Sequence, residues 1–481
     1  MIIAMLMGYL LVVLGIGMWS HRKLANTGED FFVAGRTIGP FVLLMSLFGT
    51  HMTAFALLGA SGEAYRKGIG VFGLMASSSA LVVPALFFFV GTRVWQVGKT
   101  HGYLTQIQFF RDRWQADHLG LLLFVVLVGL LVPYLLIGVM GAGLTFEQIT
   151  GGQIPYWVGS LTVSVVILLY VSSSGMRGTA MVNTFQTLVF MALGGLATFV
   201  ILNKLGGLTA VLDQLDQNAP NLTVRGEGIS PTLLITYSCI PLSAGMFPHL
   251  FNHWLTARGV NTFKGPIIFY PLCIALVWVP SVLLGMAGAV DFPGLQGPAA
   301  NGVLIMMVEK HAPGVLGGLL AAGVFAAIMS SLDSQTLSIG NMFTQDIVRH
   351  YRIGGEVDES RQVWWGRLFI VMILTLTFLL SLVAPRSIFK LGIWSFTGFA
   401  GLLPILIAAL FWKRSTAMGA YASVFTTAVA WLYFFNAGSK TIAGTDIMAV
   451  TVVILLSSVA MVVVSLFTRP PSNIDKFFPP G

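Results

Sequence analysis

Residues 326–335 read AAIMSSLDSQ, three hydroxyls and a carboxylate in an otherwise apolar run. At 100° per residue, Ala327, Ser330, Ser331 and Ser334 share one helix face, and Asp333 lies one step around from Ser330. Oxygen ligands of this kind suit a small hard cation, which would also neutralise a carboxylate buried in low dielectric. The competing reading is that the serines are small residues that let helices pack closely. An aspartate at mid-span costs about 2.5–3.5 kcal/mol on insertion scales, so ionisable residues in such segments mark function by default. His51, His249 and His253 are the others here. The i, i+4 spacing of His249 and His253 raises a zinc pair, but zinc needs three or four ligands and no cysteine cluster or third carboxylate motif accompanies them.

Two further stretches interrupt apolar segments. In LMSLFGTHMTAFALLGASG (44–62), Gly49, Thr50, His51 and Thr53 permit local unwinding; in PLSAGMFPHLFNHW (241–254), Gly245 and Pro248 break the segment. Unwound backbone at membrane depth is tolerated where it lines a cavity, and its freed carbonyls can hold an ion. Two broken helices in corresponding positions point to a transporter site. A plain proline kink is the alternative for the second.

The elements that must carry these residues are membrane spans. The chain has 481 residues, 56% hydrophobic and 9% charged, with a mean hydropathy of +0.85; a soluble domain would carry about 25% charge. Roughly 20 apolar residues cross a bilayer as a helix. Thirteen such segments are expected, near 2–19, 38–62, 70–92, 119–147, 155–174, 180–203, 230–254, 266–290, 315–340, 366–385, 391–412, 417–436 and 446–468. With the N-terminus outside, the inner loops hold 18 of the 26 Lys and Arg residues, Arg22 and Lys23 among them, which favours N-out and C-in. Basic inner loops facing anionic lipid account for the net charge of +8 without a nucleic-acid partner. The first span lacks a small-residue cleavage site and reads as a retained helix. Cys239 and Cys273 both fall in spans and imply no disulfide framework. The prolines of TRPPSNIDKFFPPG predict an extended cytoplasmic tail.

Five stretches carry a resemblance: DFFVAGRTIGP (30–40), GMRGTAMVNTFQ (175–186), FPHLFNH (247–253), AAIMSSLDSQTLSIGNMFTQDI (326–347) and FWKRSTAMGA (411–420). Over essentially its whole length the chain resembles the sodium:solute symporter family, which includes bacterial proline, pantothenate and galactose carriers and animal sodium/glucose cotransporters. The resemblance implies an all-α polytopic membrane protein with a 5+5 inverted-repeat core whose first and sixth core helices are broken. Residues 1–37 would form an extra N-terminal helix and cytoplasmic loop, 38–412 the transport core (38–203 and 230–412 its two repeats), and 413–481 two further helices and a short tail. It also implies a sodium site between the first and eighth core helices, made by the carbonyls of Gly49, Met52 and Ala327 and the hydroxyls of Ser330 and Ser331. Many members carry an aspartate in the fifth core helix where this chain has Asn183, while the eighth core helix here carries Asp333. A carboxylate moved across the interface would give a second cation site from Asn183, Ser330, Asp333 and Ser334. The alternative is one sodium only, with Asp333 capping a cytoplasmic vestibule.

The implied function is sodium-coupled symport of a small organic solute across the cell membrane by alternating access. Substrate would meet Thr50, His51, Thr53, Phe247, His249, Asn252, Trp394, Ser395 and Thr397. Proline carriers have an aspartate at the position of His51, and a histidine can donate to a carboxylate, so a small organic anion or amino acid is favoured over a sugar. The rivals are a sensor that keeps the transporter fold, and a membrane enzyme, for which the sequence offers no acid/base pair beside Asp333. Sodium, solute and lipid are the expected partners; the oligomeric state is not legible.

Overall fold

Spans form where the sequence is apolar and end where it becomes charged. The computed structural model describes all residues except 1, 22–27, 226–228, 313, 354–358, 473 and 479–481, so Arg22 and Lys23 lie outside the described residues. Inside helices, the side chains at 172–174, 359, 360, 362, 363 and a few terminal positions are likewise not described. Among the described residues every regular element is helical, and the two isolated bridges, Ile38 with Ala257 and Thr441 with Met448, are not strands.

Nine helices are long and apolar enough to cross a membrane, two more candidates are bent pairs, and two shorter apolar helices accompany them. In chain order we label them α1 (Ile2–His21), the bent pair α2 (Pro40–His51) and α3 (Phe55–Lys67), and α4 (Phe72–His101). Next come a short helix α5 (Gln106–Trp114), α6 (Asp117–Ile149), α7 (Tyr156–Val171) and α8 (Gly175–Lys204). The second bent pair is α9 (Pro231–Gly245) and α10 (Pro248–Leu255), followed by α11 (Val260–Asp291), α12 (Val315–Arg349) and α13 (Trp364–Val383). The last three are α14 (Ile388–Phe411), α15 (Ala417–Ala437) and α16 (Ala449–Phe467). Nine of the predicted segments coincide with helices long enough to cross and two with the bent pairs, with α4 running nine residues past the expected end at 92 and α12 nine past 340. Polar residues such as Lys99 and Gln345 extend these helices beyond what hydropathy alone marks.

Centrality is set by burial. The apolar windows of α12 and α14 are each 83% buried, whereas that of α16 is 28% buried, so the first two are enclosed by other helices and the last faces lipid. Small residues along α12, from Gly317 to Ala327, allow α1, α2, α6 and the α7–α8 pair to crowd around it. The break between α7 and α8 falls at Gly175, whose φ of +58° suits a residue without Cβ.

One end of the bundle is tied shut. Ile38 donates to the Thr256 carbonyl at 3.1 Å and Arg258 to that of Ile38 at 3.0 Å, joining the residues before α2 to those after α10. The Arg36 guanidinium donates to the carbonyls of Leu255 (3.1 Å), Gly98 (3.3 Å) and Tyr103 (2.8 Å). The tail departs from the extended form expected. Ile474–Phe477 makes a helical turn, Phe477 is buried with its ring 6.1 Å from that of Phe109, and Lys476 pairs with Asp112. Arg113, buried and bonded to the carbonyls of Ala409 and Trp412 at the end of α14, lies 5.6 Å from the Phe477 ring and 5.2 Å from that of Phe478. Aromatic side chains between the prolines supply the apolar area that holds the tail against α5.

Candidate functional site

Both breaks occur where the sequence loses helical hydrogen bonding. α2 and α3 meet at 60°, and Met52 between them is extended (φ −81°, ψ 112°). α9 and α10 meet at 54° around Met246 and Phe247, ahead of Pro248, which lacks the amide a continuous helix would use. The last four carbonyls of a helix have no partner within it. In α2 these are near Gly49 to Met52, and the Gly49 carbonyl accepts the Ser330 hydroxyl at 2.8 Å, from a residue 281 positions away. Ser330 also lies 3.0 Å from the Ala327 carbonyl. Gly49, Ala327 and Ser330 therefore meet, and all are fully or almost fully buried. Glycine at 49 permits the close approach of α8, because a Cβ there would fall 2.1 Å from the Thr187 hydroxyl, which would have to shift. Ser331 is buried beside them but turns its hydroxyl to Ile328 of its own helix at 3.0 Å. Carbonyl and hydroxyl oxygens in this arrangement match the donor chemistry of a dehydrated alkali cation.

Asp333 anchors a second polar cluster. One carboxylate oxygen accepts from Tyr170 at 2.9 Å and the other from Ser334 at 3.3 Å. The Ser334 oxygen accepts from the Asn183 amide at 2.7 Å and lies 3.3 Å from His253 Nε2. Asn183, Asp333 and Ser334, grouped in the sequence reading, are thus brought together, with Tyr170 and His253 added. The Asn183 carbonyl oxygen has no hydrogen-bond partner, so an oxygen ligand is left over. Asp333 is 0% exposed, and its polar cluster is built from side chains of α7, α8 and α10. No three His, Cys, Asp or Glu side chains meet as a metal cluster among the described residues, and His249 stacks flat on Phe247 with centroids 5.1 Å apart.

Between the breaks lies a small pocket of about 30 Å³. Its polar wall is His51, Ser79, Tyr237 and Ser243, and its aromatic wall is Phe55, Trp278 and Phe396. His51 Nδ1 is hydrogen-bonded to the Tyr270 hydroxyl. The Tyr237 hydroxyl is buried and has no partner. Among the described residues no Asp, Glu, Lys or Arg lines the cavity.

Of the nine expected substrate residues, His51 alone lines this cavity. Ser395 and Thr397 spend their hydroxyls on the carbonyls of Leu130 (2.9 Å) and Ile393 (2.7 Å), and Asn252 donates to Ser338 at 3.1 Å. Thr53 accepts from the Phe55 amide at 3.0 Å. Thr50 is buried with its hydroxyl unpartnered, Phe247 and His249 pack behind Tyr134, and Trp394 lies under Lys390. Met52 and Phe396 of the lining are neighbours of expected residues, whereas Met75, Ser79, Tyr237 and Trp278 come from elsewhere in the chain. α3 begins with a π-helical turn over Phe55–Gly59 and α9 ends in a 3₁₀ segment over Ile240–Gly245, and both change the face a uniform helix would present.

The sodium:solute symporter family, as a family description, matches residues 31–427. The osmoregulated proline transporter of Bacillus subtilis is 24% identical over 479 residues, covering 97% of this chain and 94% of its own. The sodium/pantothenate symporter of Escherichia coli is 27% identical over 447 residues, covering 88% of each. The solved structure of a Na+-coupled sialic acid symporter, substrate-bound and outward-open, superimposes with a TM-score of 0.81 over 98% of both chains at 16% identity, a likeness of fold.

Proposed function

The chain belongs to the sodium:solute symporter family, and from that premise we propose that it takes up a small organic solute, a carboxylate or amino acid, by sodium-coupled symport with alternating access. It is a multi-pass membrane transporter rather than an enzyme. The sensor reading finds no support, since the relatives above are named as a transporter and a symporter.

The observation that carries the proposal is the 2.8 Å bond from Ser330 to the Gly49 carbonyl, which joins the broken α2 to α12. Sodium held by the carbonyls of Gly49, Met52 and Ala327 and the hydroxyls of Ser330 and Ser331 would take over that link. It would bridge the two helices and favour one conformation, and coupling to solute is then reciprocal: solute raises sodium affinity by the factor sodium raises solute affinity. Each sodium moving inward gains about 2.3 kcal/mol per 100 mV, besides its concentration term. Asn183, Asp333 and Ser334 form the second cation site in this reading, and the cavity at His51 takes the solute.

In this proposal the long, bent and short apolar helices are read as thirteen spans, with 38–203 and 230–412 as inverted repeats, 1–37 before them and 413–481 after. The bent pairs α2–α3 and α9–α10 support that repeat, since each opens its half. The charge distribution supports N-out and C-in.

A thermal-shift screen of small acids and amino acids on purified protein, in sodium and then in potassium, tests the function. Stabilisation by a solute that requires sodium is the expected result; solutes that stabilise equally in both salts would refute coupling.

A further inference from the structure

The cavity carries no formal charge on its walls, yet the end of the bundle opposite the Arg36 ties is strongly positive. Around Lys440, in the loop between α15 and α16, stand Arg66 and Lys67 at the end of α3 and Lys390 in the first turn of α14, with Glu63 as the single carboxylate. Glu63 is already engaged by Arg66 at 2.7 Å and Lys67 at 3.1 Å. Among the described residues no carboxylate oxygen lies within ion-pair distance of the Lys390 or Lys440 ammonium. Both instead lie over aromatic rings, Lys440 4.5 Å from the Phe389 centroid and Lys390 4.4 Å from that of Trp394. A lysine in the first turn of a helix also opposes the helix dipole, so Lys390 adds to a positive field rather than offsetting one.

These cations sit directly outside the cavity. Phe389, beneath Lys440, stacks on Phe55 with centroids 5.4 Å apart and planes within 13°, and Phe55 is a cavity wall. Gly392 makes room for the Phe55 ring, since a Cβ there would fall 2.4 Å from it. On the cavity side of this ring pair the buried Tyr237 hydroxyl has no partner, an unused donor on the way in.

We propose that Lys440 and Lys390, backed by Arg66 and Lys67, form an anion-recruiting site at the outer mouth, which holds the carboxylate of an incoming organic acid over the Phe389–Phe55 pair before it passes to Tyr237 and His51. This rests on the uptake reading above and narrows its solute to an organic anion, because the charges at the mouth attract a carboxylate and repel an ammonium group. A cluster of like charge in a cleft raises local anion concentration and association rate, with strong dependence on ionic strength. Lys440 reinforces the case: burial, with Lys67, Arg66 and Lys390 nearby and only Glu63 opposing, pushes its ammonium down to about 8. The contribution of Lys440 is therefore full below pH 7 and declines as pH rises through 8 to 9.

The test is protection from an amine-reactive anion. Purified full-length protein is treated with trinitrobenzenesulfonate at pH 8, and modification of each lysine is followed by mass spectrometry with benzoate, or its uncharged analogue benzamide, present. Benzoate should slow labelling of Lys440 and Lys390 by about fivefold or more, in sodium and potassium alike, and benzamide should not. Lys440→Gln should raise the KM for any transported carboxylate about threefold to tenfold with kcat unchanged, and Lys440→Arg should restore it. Equal protection by benzoate and benzamide, or none by either, overturns the proposal. A sodium-dependent but zwitterionic or neutral solute would leave the symport reading standing and this inference refuted.

Discussion

Replacing Ser330 with alanine removes the hydroxyl that joins the two halves of the candidate sodium site. In the structure that hydroxyl donates to the Gly49 carbonyl at 2.8 Å and approaches that of Ala327 at 3.0 Å. Two consequences separate cleanly. Without sodium, the Gly49 carbonyl is left buried with no donor from α12, at a cost of about 1–3 kcal/mol, measured as lower thermal stability in potassium. With sodium, one ligand to a charged group is lost, worth about 1.5–3 kcal/mol, or about 10- to 150-fold in sodium affinity at 1.4 kcal/mol per decade. The assay is sodium titration of thermal stability on purified protein, since a ligand that binds only the folded state stabilises by RT ln(1 + [L]/Kd). Ser330→Thr keeps the hydroxyl and should retain most of the affinity. A folded Ser330→Ala protein whose sodium midpoint lies within twofold of the unsubstituted chain would refute the assignment of Ser330 as a ligand.

Further outcomes follow from the same geometry. Asp333→Asn keeps an acceptor for Tyr170 but removes the charge, and should lower the charge carried per solute in proteoliposome currents; an unchanged ratio would remove Asp333 from any second cation site. Gly49→Ala drives a Cβ to 2.1 Å from the Thr187 hydroxyl and should cost about 1–3 kcal/mol by overpacking. Part of that loss should return in the Gly49→Ala/Thr187→Ala double variant, read as a coupling energy in a thermal double-mutant cycle, whereas strict additivity would contradict the contact. Phe477→Ala forfeits up to about 1.5–3 kcal/mol of side-chain burial, and should be seen as faster hydrogen exchange across Ile474–Phe477 and Gln106–Trp114, with solute affinity unaltered.

Hydropathy made the spans legible, because in lipid each must satisfy its own backbone, and Gly49, Gly245 and Pro248 marked the two breaks because those residues weaken or remove helical hydrogen bonds. The pairing of Gly49 with Ser330 was reachable through family resemblance, and that of Asn183 with Ser334 through the displaced carboxylate. Tyr170 was not: its bond to Asp333 spans 163 residues, and a tyrosine in an apolar run carries no signal of its partner. The lining of the cavity differs from the expected substrate set: Phe396 stands between Ser395 and Thr397, and Tyr237 and Ser243 precede Phe247 and Asn252. A π-helical turn at Phe55–Gly59 and a 3₁₀ segment at Ile240–Gly245 turn the faces that follow them, which the residue pattern does not announce. The tail was read from its prolines, and the burial of Phe477 depended on a partner surface on α5 that only the fold brings near.

The central claim is that one alkali cation is held by oxygens from α2 and α12 together. Diffraction from crystals grown in sodium and then soaked in thallium, a monovalent cation with a strong anomalous signal, tests it most directly. A peak enclosed by the carbonyls of Gly49, Met52 and Ala327 and the hydroxyls of Ser330 and Ser331, diminished by competing sodium, is the predicted result. Thallium bound elsewhere in the bundle, with no density between the Gly49 break and Ser330, would contradict it.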